Sequence, residues 1–112
     1  MEEQLKLTLS QAIDDFNNNR TAILQLAFNT GGQDAVIKLE QEYDSLHNSY
    51  IEILKKQLDK NNHLYEQLIS SANEETERLR VSVNQLNNIN EITELATTVI
   101  NSIGRILIVL GV

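Results

Sequence analysis

Val81-Ser82-Val83-Asn84-Gln85-Leu86-Asn87-Asn88-Ile89-Asn90-Glu91-Ile92-Thr93 is the stretch on which the fold turns. It reads either as the middle of one long helix or as the turn between two. A heptad register runs through it. Steps of three and four residues pick out Tyr65, Leu68, Ala72, Glu75, Leu79, Ser82, Leu86, Ile89, Thr93, Ala96, Ile100, Ile103, Leu107 and Leu110. Residues so spaced share one stripe of an α-helix, and an apolar stripe needs other helices to cover it. The stripe weakens at Glu75 and Ser82 and strengthens toward the carboxyl end. Asn88, three residues before Glu91, has capping-box spacing and offers a helix start. The register nevertheless crosses these asparagines without changing phase, whereas a loop usually resets it. The sequence therefore predicts one long third helix over residues 62–110.

Upstream, the phase does change. The second apolar set, Val36, Leu39, Tyr43, Leu46, Tyr50, Ile53, Leu54 and Leu58, projects onto Gln57 and Leu64, one residue away from Tyr65. One residue is about 100° of helix rotation. With Asn61 and Asn62 tolerant of turns, this predicts a break between residues 59 and 63 and a second helix over residues 34–60. Thr30-Gly31-Gly32-Gln33 is the strongest turn signal, since glycine closes a helix at little steric cost and Asp34 is a good N-cap. Before it, Leu5, Leu9, Ala12, Ile13, Phe16, Ile23, Leu24, Ala27 and Phe28 mark a first helix over residues 2–29. Asn17-Asn18-Asn19-Arg20 interrupts that stripe as a kink or a polar layer.

Composition agrees with helices throughout. The 112 residues contain no proline and four glycines, too few breakers for a β-rich chain. Aromatic residues are 4% and tryptophan is absent, which leaves Leu, Ile, Val and Ala to build the core. The expected fold is all-α: a single helical domain forming a three-helix antiparallel bundle, spectrin-like in its arrangement, with an elongated third helix. The alternative is an up-down-up-down four-helix bundle, reached if the chain breaks at residues 87–90.

Charge and chemistry narrow the function. The net charge of −7 is spread evenly and no segment concentrates Lys and Arg, so no nucleic-acid partner is expected. Cysteine is absent, which removes thiolate catalysis and thiolate zinc sites. Asp44 with His47 and Asp59 with His63 could each share a helix face, yet neither completes a carboxylate–histidine metal set. No phosphate loop, nucleophile triad or acid–base pair assembles. No catalytic, metal-binding or cofactor-binding residue is assigned. Glu74, Glu75, Glu77, Arg78 and Arg80 form a charge cluster, and Glu75 and Ser82 on the seam are candidates for a polar layer that sets partner register. The amino terminus, acidic and amphipathic, is unlike a signal peptide, and a cytoplasmic setting is the default.

Length then suggests function. Helices of just under thirty residues reach about 40 Å, whereas residues 62–110 would reach about 70 Å. The excess carries the most apolar residues of the chain. Its predicted interface is Leu95, Val99, Ile100, Ile103, Ile106, Leu107 and Leu110, and the expected partner is another copy of the chain. Leaving those side chains wet would forgo well over 10 kcal/mol, taken as an upper bound. The expected function is a non-enzymatic oligomerisation, scaffold or interaction module. A membrane surface is the alternative partner. Against it, Thr97, Thr98, Asn101 and Arg105 line a polar stripe, and an arginine near mid-bilayer costs about 3 kcal/mol. Thr97, Gly104 and Gly111 recur every seven residues, as a close-approach stripe between helices would.

Overall fold

The computed structural model describes residues 2–55, 63–86 and 88–109. Among them the chain is all-α, with four helices and no strand: α1 (Glu2–Asn18), α2 (Arg20–Leu54), α3 (His63–Gln85) and α4 (Ile89–Val109). They pack as a bundle 47 Å long and 23 × 18 Å across.

The asparagine run separates α1 from α2. Asn19 leaves helical geometry at φ −104°, ψ 8°, and its side-chain amide donates to the Asp15 carbonyl at 2.8 Å. This local bond competes with the helical ladder, which is how asparagine weakens a helix interior. The sharper event lies inside α2 at Gly32, where φ is 71° and ψ −157°. Only glycine holds that conformation without strain. The neighbouring Gly31 is needed for space, because a Cβ there would stand 2.8 Å from the Ala35 Cβ.

At Gly32 the chain reverses. Phe16 stacks on Tyr43 with ring centroids 4.5 Å apart, and Arg20 pairs with Glu40 at 3.7 Å. On a straight helix, residues so far apart in sequence would be separated by roughly 30 to 40 Å. Helix α2 thus has two arms, residues 20–31 and residues 33–54, about the predicted glycine turn.

Side-chain pairs give the remaining directions. Asp15 with Arg80 and Asn19 with Asn84 keep one sequence offset, so α1 and α3 run the same way. Ser102 meets Glu75 across the short turn after α3, so α4 runs back against α3. The packed pairs close a ring in the order α1, α2, α4, α3.

The expectation of one third helix over residues 62–110 meets a break instead. Helix α3 ends at Gln85. Leu86 turns left-handed, with φ 54°. Asn88 then caps α4: its Oδ1 accepts from the backbone N–H of Asn90 at 2.9 Å and of Glu91 at 3.3 Å. A straight rod of about 70 Å would also overrun the 47 Å bundle. The four-helix alternative fits the count of elements.

A phase change was present in the sequence, but hidden. The buried stripe of α3 is Ile69, Ala72, Thr76, Leu79 and Val83, and that of α4 is Ile89, Ile92, Ala96, Val99, Ile103 and Ile106. Steps of seven from Val83 land on Asn90 and Thr97, which are exposed. The two stripes are therefore offset by one residue, about 100°. The heptad register straddled them, sharing Ala72 and Leu79 with the first stripe and Ile89, Ala96 and Ile103 with the second.

Candidate functional site

The predicted interface lies on α4, and the structure divides it. Val99, Ile103 and Ile106 are fully buried inside the bundle. Leu95, Ile100 and Leu107 are half-buried and packed against the core. Leu110 lies outside the described residues. The inward face of α4 is thus covered by α2 and α3 of the same chain, and no bare overhang is found up to Val109. The outward face is Asn90, Glu94, Thr97, Asn101 and Arg105, continued at the end by Ile108, which is 77% exposed.

The periodicity that built this helix explains both faces. Apolar residues recur at three and four through residues 89–107, with threonines and asparagines between them. The threonines fold back on the helix: Thr93 and Thr97 donate to the carbonyls four residues earlier at 2.9 and 3.0 Å. The Thr97 hydroxyl shares its one proton between the Thr93 carbonyl and the Glu42 carboxylate, also at 3.0 Å, which ties α4 to the second arm of α2. A Cβ at Gly104 would meet nothing within 4 Å. Gly104 therefore admits no neighbouring backbone within the bundle, and Gly111 lies outside the described residues.

Of the two polar residues singled out on the seam, Glu75 finds a partner within the chain. Glu75 accepts a hydrogen bond from the Ser102 hydroxyl, and Arg105 approaches the same hydroxyl at 3.4 Å. Ser102 is buried. The pair crosses from α3 to α4 and fixes their relative register, the task expected of a polar seam layer, here within one chain. Ser82 is buried as well, with no protein partner for its hydroxyl.

A second polar feature was missed. Helix α1 presents Gln4, Thr8, Gln11 and Asp15 at intervals of three and four, Asn19 follows just beyond its end, and α3 presents Asn73, Glu77, Arg80 and Asn84 in the same rhythm. Arg80 stands at their centre. Its Nε donates to Asp15 at 2.9 Å and its Nη1 to Gln11 at 2.9 Å and Glu77 at 3.2 Å. Asn84 donates to Asp15 at 3.0 Å and accepts from Asn19 at 3.2 Å. The hydrogen bond from Arg80 to Asp15 raises the guanidinium pKa further, and the charges of Asp15 and Glu77 add to it against the cost of burial. A search for polar as well as apolar stripes would have found this ladder.

Among the described residues, no three His, Cys, Asp or Glu side chains gather as a metal site. His47 is exposed beside Tyr43, and the side chain of His63 lies outside the described set. Tyr43 stacks on Phe16, lies under the Arg20 guanidinium at 5.7 Å, and donates its hydroxyl to Asn17 at 2.8 Å. It is a core residue with its polar end at the rim.

By length and composition, α4 alone among the described helices could cross a membrane, with mean hydropathy 1.4, and one-third of that window is buried in the bundle. A core helix of a water-soluble bundle has the same character. No protein family, characterised protein or solved structure matches the chain.

Proposed function

We propose that this chain is a non-enzymatic helix-association module that self-associates through α4. The observation that carries this reading is the match between α4 and its own surroundings. A helix with six fully or nearly buried apolar residues on one face lies against α2 and α3. Any second copy offers the same surface. Leu95, Ile100 and Leu107, half-buried at the borders of that face, extend the contact area available to a partner helix. The acidic, evenly distributed charge keeps such a protein soluble and supplies no docking code for polyanions. A cytoplasmic setting belongs to this reading as an expectation.

Light scattering of the full chain across a concentration series tests it. The mass should rise with concentration. The mass of a single chain at every concentration would defeat the reading. The rival reading gives α4 to a lipid surface, supported by its length and hydropathy. Co-sedimentation of the full chain with neutral phosphatidylcholine vesicles would favour it.

A further inference from the structure

Self-association through the buried face of α4 would take that helix out of its own bundle, and the turn before it is built in a way that favours leaving. Leu86 is the one non-glycine residue at positive φ among the described residues. A branched side chain in that conformation is strained. Residues 86–88 contain neither glycine nor proline, and each can be helical. The closed turn depends on one asparagine cap, at Asn88, to satisfy the N–H groups of Asn90 and Glu91. In a continuous helix those groups would bond to carbonyls four residues earlier, and Leu86 would relax to negative φ.

We propose that α4 exchanges between two copies: the turn marked by Leu86 and the Asn88 cap straightens, α3 and α4 become one helix, and each α4 completes the bundle of the other copy. Every contact that α4 makes with α2 and α3 is then remade with an identical partner. These contacts cancel between the two states, and the hinge and the concentration decide the balance. Short strained hinges invite such exchange. A straightened helix cannot serve its own bundle. It would extend about 70 Å against a bundle of 47 Å, and its two buried stripes would stand about 100° apart. The proposal rests on the self-association reading and adds its mechanism.

The chain has no cysteine, so Glu74→Cys with Asn101→Cys introduces a unique pair of exposed spin-label sites. In the closed turn these residues lie on adjacent antiparallel helices. In the straightened form they stand about 40 Å apart. Labelled chain diluted into unlabelled chain reports the distance within one molecule. The isolated dimer should show the long distance and the monomer the short one. Leu86→Gly should lower the dimer fraction at least fivefold, because glycine accepts the left-handed turn and opposes the helix. Asn88→Ala should raise it severalfold by removing the cap. Circular dichroism confirms that both variants remain helical. A dimer with the short distance, a chain that stays monomeric, or the two variants moving the dimer fraction in the same direction would overturn the proposal. If the full chain stays monomeric at every concentration, the self-association reading fails with the proposal. If it dimerises but the distance stays short, the exchange alone fails.

Discussion

Two edges of the ring join helices that are not consecutive in sequence, and they differ along their rims although both rest on one apolar core. On the α2–α4 edge, Leu39, Leu46 and Ile53 of one helix and Ile89, Ala96 and Ile103 of the other recur every seven residues, all of them buried, and Thr97 with Glu42 gives one hydrogen bond. The α1–α3 edge carries Gln11, Asp15 and Asn19 against Glu77, Arg80 and Asn84. Burial on the first removes apolar surface from water and tolerates small sliding of one helix on the other. Hydrogen bonds on the second replace bonds that water would supply, so their net contribution is small, but they are satisfied in one register only. The polar rim of α1 and α3 therefore adds a choice of alignment that apolar burial alone does not make.

The apolar edge should respond most to truncation. Ile103→Ala opens a cavity at a side chain with no exposure and should cost about 2–5 kcal/mol in guanidinium unfolding. A loss under 1 kcal/mol would mean that this edge is loosely packed and that the contrast between the edges is false.

The polar edge should respond less, and in a way that can be reversed. Asp15 and Arg80 keep side-chain exposures of 19% and 26%, so water already softens their pairing. Arg80→Met alone should cost about 1–2 kcal/mol, mostly by stranding Asp15 and Gln11. Adding Asp15→Leu should recover that loss or exceed it, as apolar replacement of paired charges often does. The double variant is also where alternative alignments should appear, as broadened or doubled amide resonances. Arg80 has its pKa raised in the folded state, so its contribution is complete below the unfolded value and is lost only as pH rises through the folded one. Both values lie in strong alkali. The Asp15–Arg80 coupling from a double-mutant cycle should accordingly be equal at about pH 7 and about pH 9.

The same contrast explains what could be read in the sequence. Helix content, the glycine turn and most buried residues of α1 and α2 follow from apolar spacing; Phe28 and Leu54, counted on the same stripes, are exposed. The break after α3 was harder because two signals disagreed. Asn88 with Glu91 marked a helix start, while the register denied a turn. The register was misleading at Leu68, Glu75 and Ser82, which lie toward α4 on the border of the true α3 stripe. One hydrophobic or neutral residue at the right spacing is enough to bridge a one-residue slip. On α4, Val99, Ile103 and Ile106 were marked for burial from their spacing, yet periodicity does not say whose helices cover them. The α1–α3 ladder was legible in principle. It was overlooked because glutamine, aspartate and asparagine at heptad spacing resemble a solvated face until a second ladder is set beside them.

The apolar edge also has room for improvement, which gives the smallest of the expected effects. Gly104 sits inside α4 where an added Cβ meets no atom within 4 Å. Glycine in a helix interior loses more backbone freedom on folding than alanine does, so Gly104→Ala should stabilise the bundle by about 0.5–1 kcal/mol. The sign separates two roles for this glycine. If Gly104 serves only the fold of one chain, the substitution raises the unfolding midpoint and leaves the mass of any dimer unchanged. If a helix from a second copy approaches this position closely, the same methyl group raises the midpoint of the monomer and weakens the dimer. Unfolding followed at two protein concentrations, one on each side of the association midpoint, distinguishes these outcomes because only the second gives opposite shifts.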